Sequence, residues 1–255
     1  MASARIGTAG WSIPKDHAAS FPGAGTHLER YGAVFDAVEI NSSFYRPHRR
    51  TTYERWAASV PERFRFAVKV PKSITHERRL NDAEDLTDRF LSETDGLGPK
   101  RGPLLVQLPP SLAFQASVAT RFLRGLRERT DGGIVCEPRH ASWFVPEVDG
   151  LLDELRIARV AADPAPVLAA DRPGGWKGLS YYRLHGSPQI YYSPYDAETL
   201  ADVAARLTRD AAAGRQTWCI FDNTAAFAAT GDALAAQALV RVSPTALETA
   251  PTASI

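Results

Sequence analysis

Ten polar residues recur at one kind of place in this chain, the ends of short apolar runs: Glu39, Asn41, Lys69, Gln107, Glu137, Arg139, Asp163, Arg183, His185 and Asp222. Glu39 and Asn41, Glu137 and Arg139, and Arg183 and His185 are each two residues apart. In an extended strand each such pair shares a face. Glu39 and Glu137 could form the carboxylate pair that hydrolytic barrels use. Lys69, its charge lowered by burial, offers a base or an imine former. His185 beside Arg183 is expected to have its protonated form disfavoured, which suits a general base. The catalytic candidates are therefore Glu39, Glu137, His185 and Lys69, with Lys69, Arg139 and Arg183 as charge-stabilising groups. The plain alternative is a closed network of ion pairs, for example Glu39 with Lys69 and Glu137 with Arg183, because buried charges need partners.

Other chemistries have less support. The residues carry no HExxH, CxxC, GxSxG or Walker A pattern. No cofactor is indicated. A divalent metal held by strand-end groups such as Glu39, Glu137, Asp163 and His185 stays an alternative, as in a metal-assisted phosphoesterase. Cys136 and Cys219 fall inside two apolar runs that are not neighbours and read as core thiols. HisGlySerPro (185–188) and AspAsnThr (222–224) could cradle a phosphate, with Thr224 capping the last helix. Trp11, Phe44, Tyr45, Trp143, Tyr191, Tyr192 and Tyr195 all follow strand ends, where aromatics either stack on a ligand or seal the fold.

The elements that must position these groups can be read from the pattern. Eight strands are expected, at 5–10, 37–41, 64–71, 104–109, 133–138, 158–163, 180–185 and 218–222. Helices are expected at 28–35, 51–59, 83–93, 117–129, 148–156, 197–213 and 225–240, with Thr51 or Thr52 and Asp196 as caps. A Pro/Gly-rich loop covers 164–178. Repeated strand–helix units imply parallel strands. Eight of them in 255 residues predict an α/β fold, a (β/α)8 TIM-barrel-like parallel barrel. The first turn, GlyTrpSer (10–12), has no GxGxxG, which argues against an open dinucleotide-binding sheet. In a barrel the strand ends converge on one mouth, where enzymes of this architecture place their chemistry. One barrel domain is expected over residues 1–242, with 243–255 as a flexible tail.

Composition bounds the partners. The 30 Lys and Arg against 29 Asp and Glu leave a net charge of +1, so no global field would hold nucleic acid. ArgProHisArgArg (46–50) is the one local basic patch that a nucleic-acid-binding module could use, and a solvated loop leading into a helix explains it better. No apolar run is long enough to suggest a membrane span, and the opening residues do not read as a signal peptide. A cytoplasmic protein is expected. Its ligand at a mouth of mixed sign with a basic rim would be small and polar or anionic.

The motifs carry a resemblance. IleGlyThrAlaGlyTrpSer (6–12), PheAspAlaValGluIleAsnSerSerPheTyr (35–45), PheAlaValLysValPro (66–71) with IleThrHis (74–76), LeuValGlnLeuProPro (105–110), GluProArgHisAlaSerTrp (137–143), TyrArgLeuHisGly (182–186) and PheAspAsnThr (221–224) resemble, in order, the YecE-like family, domain of unknown function number 72. The resemblance implies a TIM-barrel-like fold and no established activity; a likeness to endonuclease-type barrels is fold-level analogy. Its motif positions add His76, His140 and Gly186. Strand ends and motifs together put Trp11, Asn41, Tyr45, Gln107, Arg139, Trp143, Arg183, Tyr195, Asp222 and Asn223 in the ligand-binding set. An enzyme of hydrolase or lyase type is the first expectation. One departure stands out. Where the family resembles AsnThrAlaSerGly, this chain has AsnThrAlaAlaPhe (223–227), and Phe227 is expected to cover the helix start and narrow the pocket.

Overall fold

In the computed structural model, which describes residues 4–242, parallel strands alternate with helices. The strands are β1 (Arg5–Thr8), β2 (Ala37–Ile40), β3 (Arg65–Lys69), β4 (Arg101–Gln107), β5 (Ile134–Glu137), β6 (Ile157–Arg159), β7 (Ala161–Asp163), β8 (Gly174–Gly175), β9 (Leu179–Leu184) and β10 (Gln216–Phe221). The helices are α1 (His27–Val34), α2 (Ser42–Tyr45), α3 (Arg50–Ala58), α4 (Glu84–Thr94), α5 (Ala116–Glu128), α6 (Pro146–Glu154), α7 (Ala197–Ala212) and α8 (Ala228–Val242). The expected tail, 243–255, lies outside the described residues. No helix among them is long and apolar enough to cross a membrane.

The strands form two ladders, β2-β3-β4-β5-β6-β8 and β1-β10-β9-β7. All pairings are parallel except β6 with the two-residue β8, which edges the predicted loop. Two seams join the ladders into a TIM-barrel-like ring. At the first, the expected sixth strand is broken at Val160: β6 pairs with β5, and β7 pairs with β9. At the second, β1 meets β2 through a single bridge, Ala9 with Glu39. There the hydroxyl of Tyr31 from α1 accepts from the Thr8 N–H at 2.8 Å and donates to the Ala37 carbonyl at 3.2 Å. Gly7 permits this approach, since a Cβ there would stand 2.1 Å from the Ala37 oxygen.

Alternation along the strands separates two cores. Val38, Ile40, Val68, Val106, Leu108, Cys136, Leu184 and Phe221 face outward and pack under the helices. Ala37, Ala67, Leu105, Val135, Ala158, Val160, Tyr181, Trp218 and Ile220 fill the ring. Three of these are alanines, and the stacked rings of Tyr181 and Trp218, 6.0 Å apart, take up the space they leave.

Several boundaries differ from expectation. The N-cap of α3 is Arg49 rather than Thr51 or Thr52 and lacks a side-chain hydrogen bond. Asp196 does cap α7, accepting from Thr199 N–H at 2.8 Å. The last helix starts at Ala228, so Thr224 is not its cap; Thr224 instead closes a turn by accepting from Phe227 N–H.

Candidate functional site

One layer above the apolar filling, the inward residues become polar. Glu39 from β2, Lys69 from β3, Gln107 from β4, Glu137 from β5, Arg183 from β9 and Asp222 after β10 are all buried. Arg183, with no exposed surface, is the hub. Its Nη2 donates to Glu39 Oε1 at 2.7 Å and lies 3.0 Å from Asp222 Oδ2; its Nη1 donates to Glu137 Oε2 at 3.0 Å. Glu39 is completed by Arg183 Nε and by the Tyr181 hydroxyl at 2.8 Å. Glu137 Oε1 accepts from Arg139 Nη2 at 2.8 Å and Nε at 3.0 Å. The expected hydrolytic carboxylate pair is therefore not available: a guanidinium stands between Glu39 and Glu137 and occupies both. Of the two expected ion pairs, Glu137 with Arg183 is present, while Glu39 takes Arg183 and not Lys69.

His185 sits above this layer with both ring nitrogens on carboxylates, Nδ1 at 3.0 Å from Asp222 Oδ2 and Nε2 at 3.1 Å from Glu137 Oε1. Two acceptors require two N–H donors, so the ring is an imidazolium. Arg139 Nη2 also lies 3.3 Å from Nε2. Two donors cannot bond each other, and the shorter, oppositely charged contact to Glu137 is the bond. Burial works against the charged ring, but Glu137 and the bonds to Asp222 and Glu137 outweigh it and raise the His185 pKa. This reverses the expectation of a neutral general base: Arg183 opposes the charge less than the two carboxylates favour it. Burial likewise works against charge on Glu137 and Asp222. Arg183 and His185 overcome it and hold both carboxyls below their ordinary values.

Lys69 differs from its neighbours. It is 8% exposed, yet its ammonium makes no hydrogen bond or ion pair with the described residues. It stands over the ring of Phe44, 4.2 Å from the centroid. Burial, and then Arg183, lower its pKa to about 8 against the pull of Glu39, Asp222 and Glu137. Around it, His76 stands edge-on to Phe44 at 4.9 Å in a single π-helical turn (Ser73–Glu77), a local form frequent at functional sites. Burial and then Lys69 lower the His76 pKa. Asn41 donates to Asp222 Oδ1 at 3.3 Å while its own Oδ1 is buried without a partner, and Gln107 makes no side-chain hydrogen bond with the described residues. Tyr191 leans on His185 at 5.7 Å and accepts from Arg139 Nη1 at 3.4 Å.

The remaining candidates lie outside this cluster. Trp143 is a core residue whose indole donates to the Leu112 carbonyl at 2.9 Å. Tyr195 locks the loop after β9, accepting from Gly186 N–H and donating to Asp163 Oδ1, both at 2.8 Å. Asp163 therefore turns to Tyr195 and away from Glu39, Glu137 and His185. Asn223 donates to Ser193 O and Asp232 Oδ2. Trp11 packs edge-on against Trp56 at 5.1 Å, and Tyr45 is exposed. His140 bonds Ser142. Arg46 and Arg49 are exposed, while Arg50 pairs with Glu54. The expected phosphate cradle is occupied by the protein itself: Gly186 N–H goes to Tyr195 and Ala225 N–H to Tyr191 O. Among the described residues no group of three or more His, Cys, Asp or Glu is placed to hold a metal. Cys136 and Cys219 are buried thiols, and burial pushes Cys136 up to about 12.

Tyr181, which completes Glu39, escaped the sequence reading, although its position two before Arg183 puts it on the same inward face. In the sequence Phe44 and Tyr191 are only aromatics that follow strand ends, and nothing local ties them to Lys69 and His185.

A TIM-barrel-like α/β ring with a charged cluster at the C-terminal ends of its strands is the class that fold and cluster define. The chain belongs to the family described as "Protein of unknown function DUF72", whose model matches residues 5–254. The UPF0759 protein YecE of Escherichia coli K12 is 30% identical over 171 residues, which are 65% of this chain and 61% of that relative. The match thus spans about three fifths of that relative's length. Among solved structures, a DUF72 family protein from Enterococcus faecalis V583 superposes with a TM-score of 0.79 at 21% identity, covering 93% of this chain and 95% of that one. One from Thermotoga maritima MSB8 gives 0.76 at 22% identity, covering 94% and 99%. At these identities the likeness speaks to the fold alone.

Proposed function

We propose that the chain is an enzyme acting on a small anionic metabolite at the C-terminal mouth of its ring, by acid–base chemistry of the lyase type. One observation carries this reading: polar capacity is unused at the mouth while the layer beneath is saturated. Asn41 Oδ1 is buried without a partner, which is costly unless a ligand supplies one, and Lys69 Nζ and the Gln107 amide make no hydrogen bond with the described residues. Lys69 is the acid–base group. Arg139, one-fifth exposed at its side chain, anchors the anion. The Glu137–His185–Asp222 row stores a proton. Glu39 is a positioning residue that holds Arg183. A lyase fits better than a hydrolase, because Arg183 separates the two carboxylates that hydrolysis would use.

The test is a thermal-shift screen with inorganic phosphate, pyruvate, malate and a sugar phosphate. At least one is expected to raise the melting temperature. The shift should vanish in Arg139→Gln and persist in Arg49→Gln, which alters an exposed arginine away from the cluster. A flat screen, or a shift that survives Arg139→Gln, overturns the reading.

A further inference from the structure

We propose that Lys69 is a nucleophile that forms an imine with a small anionic carbonyl compound such as a 2-oxo acid. The proposal rests on the mouth being an anion site and names the chemistry that happens there. Buried lysines are almost always paired, and this one has no hydrogen bond or ion pair among the described residues. The reason it need not be is visible in its neighbours. Glu39, Glu137 and Asp222 are matched by Arg183, Arg139 and the His185 imidazolium through direct contacts. The cluster is balanced before Lys69 is counted, so a further positive charge has nothing left to pair with. The amine beside the face of Phe44 therefore gives up its proton more readily than an ordinary lysine, and the neutral lone pair is the form that attacks. Its stem is rooted at the end of β3, where Lys69 registers with Leu105 and its carbonyl accepts from Ser43 Oγ at 2.7 Å. A base on a rigid strand end is held in one place for attack.

The step balances without a further reagent. The Nζ lone pair bonds to the carbonyl carbon, and the C=O π bond opens to a carbinolamine. The carbon–oxygen bond then breaks. Oxygen leaves as water, taking one proton from nitrogen and one from solvent. The product is a protonated imine, which draws electrons from the adjacent carbon and so activates it for bond cleavage. A carboxylate on the substrate supplies the negative charge that the new cation lacks, which is why the class is an anionic carbonyl compound and not a neutral aldehyde.

The sequence provides its own control, since Lys69 is one of five lysines. Lys15 and Lys177 are exposed, Lys72 pairs with Glu77, and Lys100 bonds the Ala57 and Val60 carbonyls. The full chain is treated near neutral pH with pyruvate, glyoxylate or acetaldehyde and sodium cyanoborohydride, then mapped by peptide mass spectrometry. Reduced adducts are expected at Lys69, on the order of tenfold faster than at the exposed lysines, and faster with the two acids than with acetaldehyde. Lys69→Arg, checked for folding by circular dichroism, should lose the fast adduct. Labelling spread over Lys15, Lys72 and Lys177 with Lys69 unmodified overturns the proposal. If pyruvate binds by ligand-observed NMR, in a manner abolished by Arg139→Gln, but no adduct is trapped, the imine falls and the anion site stands. If it neither binds nor labels, both fall.

Discussion

A guanidinium with no exposed surface keeps its charge only if the protein replaces its water, and Arg183 receives three carboxylates for that purpose. Removing one of them leaves a buried positive charge with less compensation. Glu39→Gln is therefore expected to lower the unfolding free energy by about 3 kcal/mol in urea titration. Tyr181→Phe, which removes one hydroxyl from the same carboxylate, should cost only about 1 kcal/mol. Equal costs would mean that the hydroxyl, and not the ion pair, carries Glu39. At this scale the sequence already separated charged from apolar positions, because side-chain parity is a local property of a strand. It did not reveal partners: Glu39 and Arg183 are 144 residues apart, and Lys69, the expected mate of Glu39, has no ion pair among the described residues.

At the scale of elements, the loops after β9 and β10 are tied to each other. Ala225 N–H donates to Tyr191 O, and Asn223 donates to Ser193 O. The turn that follows ends in Phe227, whose φ of 65° lies in the left-handed region that disfavours a residue with a Cβ. Its ring is 58% exposed, so packing does little to offset the backbone strain, and Phe227 does not bury itself over the helix start. Phe227→Gly should raise stability by about 1 kcal/mol, read as a higher urea midpoint with an unchanged slope. A lower midpoint would show that the ring contributes more than its exposure suggests. The order of strands and helices was legible, since each 3.6-residue or two-residue period is written locally. The break at Val160 and the delayed start of α8 were not. The first comes from closing the ring between β5 and β9, and the second from a turn anchored on Asn223.

At the scale of the whole molecule, the buried cluster makes stability depend on pH with a defined sign. Glu137 and Asp222 have lowered values in the fold, so their contribution is present above the ordinary carboxyl range and is lost as pH falls through the lowered values. His185 has a raised value, so its contribution is complete below about 6.5 and is lost as pH rises through the folded value. Lys69 runs the other way. Its value is lowered to about 8, so a charged Lys69 costs stability near neutral pH, and that cost is relieved as pH climbs from there toward the ordinary lysine value. Lys69→Met should remove the cost, gaining about 2 kcal/mol at neutral pH and abolishing the alkaline rise in the urea midpoint. A destabilised Lys69→Met protein would mean that the amine is a structural charge after all.

The sequence by itself determined the α/β class, the order of the elements and the inward parity of Glu39, Lys69, Gln107, Glu137, Arg183 and Asp222, because backbone periodicity acts over a few residues. Only the tertiary structure decided which charges meet, that Arg183 separates the two glutamates, that His185 is held charged between two carboxylates, and that Trp143 and Tyr195 serve the core and a loop. Those outcomes depend on distances across the ring, and a residue's position along the chain does not encode the distance to a residue on the opposite strand.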